Sequence, residues 1–599
     1  MFRLMLASVA LIFMAAVADP PTLVGRKVMT VKWNAELKEE GRVFDKLALG
    51  EILLVEEEQG DRLKVCGRWI QKGDVRPLEK AVAYFTELID GDPTADNYRD
   101  RATVLKGAGE LDAAIRDYSQ AIHINPQDAV AYTGRGIVWE SKREHEKALA
   151  DYNRAIELDR GLANAYCNRG NLWSEKGEFE KAIADYDEAI ELDPQDAVAH
   201  SNRGGCHRRI GAREKAMADY DRAIELRPGL GNAFANRGAL RQDLGEPEKA
   251  LADYHRAVEF SPLEPGSWND RGTAWLKLGE NDKAVADFDH AIELNPRLAF
   301  PYDNRGLARI AQKEYDKAIA DFNKAIEIAP PFAQGVNNRG NALREKLDLD
   351  AALRDHNEAL RLNKHNAYFY YSRGRTQLAR FEAAKALLDF DQAILIDGKW
   401  PEFYRYRGDA KNAIGEIDAA ILDFDKAIAI DSISAEPFFG RSVSWRIKKE
   451  YDKAIKDCGE ALLRDPNNPL NHVQRAELWI LKNEWGLAIT DYTEAAKLDP
   501  KNPERAETVA RQLATCPNKV FHDGKRAVEW ATKGVELSGG KDAKFLATLA
   551  AAHARTGDFE RAKESQKKAV DLAKEFEKLD YQSRLELYEK GQAFQEPGK

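Results

Sequence analysis

The stretch ANAYCNRGNLWSEKGEFEKAIADYDEAIELDP, residues 163–194, has the outline of two short helices. Apolar or small residues recur at three- and four-residue spacing through Tyr166, Gly170 and Trp173, and again through Ala182, Ile183, Tyr186, Ala189 and Ile190. Gly177 interrupts the pattern between them, and Pro194 stops the second helix. Two such helices cannot bury both apolar faces alone, so the pair needs neighbours of its own kind.

The chain supplies them at a fixed period. Arg101 returns every 34 residues as far as Arg475, eleven periods later, which gives twelve copies without an insertion. Two alanine series keep the same frame, Ala114 through Ala182 to Ala488 and Ala121 through Ala189 to Ala495, as does an acidic series from Asp117 through Asp185 to Asp491. A stacked array demands such a register, because each unit meets a similar neighbour in a similar way.

The unit resembles the tetratricopeptide repeat, with an aromatic at Tyr166, a small residue at Gly170, an aromatic at Trp173, then Ala182, Tyr186, Ala189 and Pro194. The resemblance covers residues 95–502. It implies a mostly α fold, a right-handed α-solenoid of helical hairpins, and a scaffold that holds partner proteins or peptides along a concave groove without catalysis.

Before the array the texture changes. Met1–Ala18 reads as a signal peptide: Arg3, an apolar run Leu4–Val17 and an A-x-A pattern ending at Ala18. The expected mature chain starts near Asp19, exported to the periplasm or secreted; an uncleaved N-terminal anchor is the alternative. No later apolar run has the length of a membrane span. Residues 22–77 carry short Val-, Ile- and Leu-rich strands with Gly punctuation. They are similar to a bacterial SH3-like domain, which implies a small β-barrel and makes cell-wall material a candidate partner. Residues 78–94 align with the second helix of the repeat, Ala81 standing where Ala182 stands, and read as a half-repeat capping the stack.

Within the array, the Gly170 position and the two alanine series make a seam of small side chains. Aromatics such as Tyr118, Tyr186 and Phe288 fill the larger gaps as core. Each Arg is matched by an Asp in its own unit, so pairing between first and second helix is expected, worth about 0–1 kcal/mol where exposed. Binding specificity is expected on inner-face positions of the first helices that vary from unit to unit. The candidate peptide-binding residues are Asn164, Asn168, Asn171, Asn202, Asn236, Asn269, Asn304, Asn337, Asn338, Asn341, Arg344, Arg375 and Arg405. Asn both donates and accepts, which suits an extended peptide backbone. The family's clamp for a C-terminal carboxylate places Lys at the position of Cys167 and Asn at that of Asn171. Lys is absent there, and Arg405 is expected to be the only cation at that position, which disfavours the clamp.

The repeat degrades over residues 503–577 into two irregular units, with a loop at Thr515–Gly524, and residues 578–599 read as a closing helix and a frayed tail. No nucleotide, metalloprotease, hydrolase or C-x-x-C motif occurs, so no catalytic residue, metal or cofactor is expected. His200, Cys206 and His207 share one helix but sit at core positions. Five scattered cysteines do not form a disulfide framework, and Cys66 and Cys516 are the candidates for exposed thiols. A net charge of −10, with acids and bases alternating, argues against a nucleic-acid partner. Two other functions remain open: an accessory arm for cell-envelope enzymes, and glycan binding through the SH3-like domain.

Overall fold

The structure, a computed structural model, describes residues 27–30, 35–39, 42–47, 52–59, 61–65 and 68–596. The expected signal peptide and Cys66 lie outside them. The chain divides into two compact bodies, residues 1–296 and 297–599.

The N-terminal body begins with seven short strands: β1 (Lys27–Thr30), β2 (Ala35–Glu39), β3 (Arg42–Leu47), β4 (Ile52–Gln59), β5 (Arg62–Val65), β6 (Arg68–Gln71) and β7 (Val75–Pro77). Their order is β3-β2-β6-β5-β4-β1-β7. β4 is shared: Ile52–Leu54 pairs with β1, and after a register shift between Val55 and Glu57 its second half pairs with β5. Period-two alternation turns Leu63 and Val65 inward, while Arg62 and Lys64 stay outside the core. Among the described residues β3 and β7 do not pair, so no closed barrel is seen. Directly after β7, the helix Leu78–Gly91 buries Ala81 and Phe85 against Val104 of the first repeat.

Six helix pairs follow, from Ala95–Gly107 with Leu111–Ile124 to Pro265–Lys277 with Asn281–Leu294. The C-terminal body starts with six more, from Ala299–Ala311 with Tyr315–Ile328 to Pro469–Leu481 with Trp485–Leu498. Each turn inside a pair passes through one residue of positive φ, 34 residues from the next. It is glycine at Gly109, Gly177, Gly211, Gly245, Gly279 and Gly415, but Arg143, Lys313, Leu347, Phe381, Lys449 or Asn483 elsewhere. A side chain there costs roughly 1–2 kcal/mol, which helix stacking overrides six times.

Small residues explain the close approach of helices. A Cβ on Gly272 would lie 2.7 Å from the Phe288 ring, and one on Gly306 2.6 Å from Phe322. These rings are fully buried, as are Tyr152 and Phe424. The first pair has Ala102 at the glycine position, and its ring shifts the contact: Tyr118 instead crowds Gly134 of the next pair, 2.5 Å from where a Cβ would stand.

The Arg and Asp series meet in every pair. Arg Nε donates to one carboxylate oxygen at 2.6–3.1 Å and Nη2 to the other at 2.6–2.8 Å, from Arg101–Asp117 to Arg475–Asp491. The pairs are not the exposed contacts on which a value near zero would rest. The Asp side chains are only 4–12% exposed, and the Arg side chains 15–28%. The third guanidinium nitrogen reaches back to the preceding second helix, Arg169 to Asn153 at 2.8 Å and Arg407 to Asp391 at 2.8 Å. Where an aromatic stands three residues before the Arg, the guanidinium covers its ring, 5.6 Å from the Tyr166 centroid and 4.8 Å from that of Trp268. One side chain therefore sets three helices.

Beyond the twelfth pair come Pro503–Thr515 with Gly524–Leu537, Ala543–Thr556 with Phe559–Leu572, and the last helix Glu575–Glu589. Residues 591–596 are not frayed: they return to the thirteenth pair, where the Glu596 amide donates to the Thr515 carbonyl at 2.8 Å. Cys516 is buried there, contrary to the exposed thiol expected of it. Cys206 and Cys458 are buried free thiols and Cys167 is half-buried. Burial pushes the Cys458 thiol up to about 11. Among the described residues no helix is long and apolar enough to cross a membrane.

Candidate functional site: the inner wall of the first helices

Within each body, successive first helices pack against one another more closely than successive second helices do. The first helices therefore form the inner wall, and the residues between their packing positions face its groove.

The predicted residues divide by body. In the N-terminal body, Asn168 donates to the Asn164 carbonyl at 2.8 Å. Asn171 accepts from Tyr186 Oη at 2.6 Å and from Asn202 of the next pair at 2.9 Å. Asn236 reaches Ser201 at 3.4 Å, and Asn269 its neighbour Asp270 at 3.5 Å. Burial raises the Asp270 carboxyl to about 6. The Asn ladder is thus partly bonded to itself along the wall.

In the C-terminal body several candidates are not available to a partner. Asn337 is fully buried and meets His356 Nδ1 at 3.2 Å; burial and nearby arginines hold that imidazole neutral, with a pKa of about 3. Asn338 is buried and donates to both oxygens of Asp303, at 3.1 Å each. Those two are packing residues rather than the peptide contacts expected of them. Asn341 accepts from Arg344 at 2.9 Å, Arg344 itself being 7% exposed. Asn304 is half-buried and already partnered. Arg375 and Arg405 remain on the wall beside Tyr371 and Tyr406.

Arg405 is not the only cation at its repeat position. Arg99 holds the same position in the first pair, two periods before Cys167, bonded to Asp128 at 2.9 Å and Asp96 at 2.7 Å. It lines a cleft of about 280 Å³ with Thr103, Lys106, Tyr118, Ile137 and Asn168. Among the described residues no carboxylate is within ion-pairing distance of Lys106, and burial lowers its pKa. The 34-residue frame carries the signal for Arg99, although the first unit has Asp100-Arg101-Ala102 in place of the Asn-Arg-Gly triplet.

His200 and His207 do not form a metal site with Cys206. Both turn toward Asp219, the acid of their own pair, at 3.7 and 2.9 Å. Among the described residues no three His, Cys, Asp or Glu side chains are grouped as metal ligands.

Family models of the tetratricopeptide repeat match residues 163–196 and 304–332, 99–163 and 236–299, and 543–576. The chain carries tetratricopeptide repeats. No curated protein matches it in sequence. Among solved structures it is similar to the APC/C hetero-tetramer Cut9–Hcn1, with 15% identity and a TM-score of 0.44, covering 73% of this chain and 93% of that one. Yeast Tom70 matches with 20% identity and a TM-score of 0.36, over 71% and 95%. YrrB, described as a TPR protein with an unusual peptide-binding site, matches with 28% identity and a TM-score of 0.25, over 31% and 95%.

Proposed function

We propose that the chain is an exported, non-catalytic scaffold that binds partner proteins or peptides along the inner walls of its helix pairs. One observation carries this reading. The Arg–Asp framework is the same in every pair, whereas the wall position of Asn171, half-buried in every pair but the first, holds Thr103, Ile137, Gly205, Thr273, Leu307, Arg375, Asp409 and Glu477 in other pairs. Residues that only hold a stack together have no reason to vary at one position and stay fixed at the next. Extended-peptide or helix-in-groove recognition suits such a wall. The N-terminal strands belong to the proposal as an SH3-like module, supported by the strand β4 that serves two partners.

Purified chain is to be applied to an array of capped peptides, alongside a variant with Asn236→Ala and Arg405→Ala on the walls and one with Asn153→Ala and Lys426→Ala on the second helices. Binding lost with the wall variant and kept with the other supports the reading; the reverse pattern ends it. N-terminal sequencing of exported protein should begin near Asp19.

A further inference from the structure

The wall of the C-terminal body becomes basic and aromatic at one place. Arg375, on the helix Ala367–Ala379, lies over the rings of Tyr371 and Tyr406, 5.6 and 5.0 Å from their centroids. Arg405 covers the Tyr406 ring at 3.6 Å. Arg344 stands on the preceding first helix, Ala333–Glu345. Tyr368, 43% exposed and 5.5 Å from Tyr371, extends the aromatic surface.

These cations are unequally partnered. Arg344 donates to Asn341 and Glu345, both at 2.9 Å. Arg405 donates to Asp409 at 3.1 Å. Arg375 makes no hydrogen bond among the described residues, and its nearest carboxylate, Glu345, is 3.9 Å away. Among the described residues the three guanidiniums thus have two carboxylates within ion-pairing distance, with Glu436 also near Arg405, in a chain whose net charge is −10. Two rings flank the Arg375 guanidinium while its donors make no hydrogen bond among the described residues, and a guanidinium fork with free donors can take a carboxylate by two parallel bonds.

We propose that this part of the wall docks an acidic, extended peptide segment. A partner carboxylate takes the Arg375 fork, and an adjacent aromatic or aliphatic side chain lies on Tyr371 and Tyr368. This rests on the peptide-binding reading of the wall and adds the charge and composition of the peptide. A polyanionic backbone fits less well, because Glu345 and Asp409 stand among the three cations and would repel a continuous run of phosphates.

The test uses the full chain and fluorescence anisotropy with three probes: a capped peptide alternating Glu and Phe, its Gln/Phe counterpart, and a single-stranded oligonucleotide of equal length. The Glu/Phe peptide is expected to bind about tenfold or more tightly than the Gln/Phe peptide and to weaken with salt. Arg375→Gln should abolish that preference, Arg375→Lys should restore only part of it, and Lys426→Ala on a second helix should leave it unchanged. Arg373, which holds the framework beside it, is untouched, and circular dichroism checks that the helices persist. Equal binding of the two peptides, or a preference that survives Arg375→Gln, overturns the inference while the peptide-binding reading stands. Failure of both peptides to bind overturns both, and tighter binding of the oligonucleotide replaces the peptide by a nucleic acid.

Discussion

The pair Ala163–Glu175 with Phe179–Leu192 and the pair Pro503–Thr515 with Gly524–Leu537 meet the same need by different means. In the first, Arg169 clamps Asp185 of its own second helix and Asn153 of the pair before. In the other, the repeat frame puts Val509 where the Arg would stand, fully buried. What fixes that pair comes from later in the chain. Arg511 bonds Glu596 at 3.0 Å, Arg555 donates to the carbonyls of Ala514 and Phe594 at 2.7 and 2.8 Å, and Gln595 donates to the Pro517 carbonyl at 2.6 Å. Buried Glu507 is bonded by Thr548 at 2.9 Å and faces Lys544 at 3.3 Å. A pair inside the array can rely on neighbours in the same frame; the thirteenth pair is held by the irregular pair after it and by the returning residues 594–596.

The largest expected effect tests the framework. Asp253 accepts from both Arg237 and Arg241, so Asp253→Ala takes the buried acid from two half-buried guanidiniums and leaves Arg237 only Asp221. It should cost about 3 kcal/mol, read as lost hydrogen-exchange protection across residues 231–260 and a lower melting temperature. A change below about 1 kcal/mol would reduce the framework to ordinary surface pairing. Next is the closing device. Ending the chain at Lys590 removes the contacts of Phe594, Gln595 and Glu596 and should cost about 2 kcal/mol, with exchange rising over residues 503–589 and unchanged before them. Uniform loosening of both bodies would contradict a local closure.

The turns give a smaller, signed effect. Gly177→Ala places a Cβ at a φ of +79° and should destabilise by about 1 kcal/mol. Phe381→Gly, at a φ of +61° with the side chain 96% exposed, should stabilise by up to about 1 kcal/mol. If both substitutions destabilise, Phe381 has a contact the structure does not show.

The finest test contrasts framework acids with a wall acid, Asp303, that makes no ion pair among the described residues. Burial raises Asp303 to about 6, against the opposing hydrogen bond from Asn338. The unfolded chain releases that proton near 4 and the folded chain near 6, so this group's contribution to stability falls as pH rises through that window. Asp303→Asn should flatten the slope between pH 4 and 6, measured by urea unfolding across pH. An unchanged slope would assign it to other carboxyls.

Much of the fold is legible in one stretch of sequence. The helix pairs, the small-residue seam and the partnership of each Arg with an Asp follow from periodicity, because an apolar stripe is a local property of a helix. Six turns through Arg143, Lys313, Leu347, Phe381, Lys449 and Asn483 were not legible, since the penalty of positive φ is small beside the packing that imposes it. The Asn-rich row lies on the first helices, and periodicity makes its residues equivalent. Asn337 and Asn338 prove to be sealed, while Arg375 keeps its donors unused. The return of residues 591–596 also carried no signal, being a contact across some 80 positions.

Sequence alone determined that this chain is a row of helical hairpins held by one recurring ion pair, because each copy repeats the same short-range pattern of apolar and charged residues. Tertiary structure alone decided which wall side chains are consumed and which face the groove. A side chain's partners come from the next pair, about 31 residues on, as Asn202 comes to Asn171. Whether a donor is spent there depends on distances that no periodicity encodes.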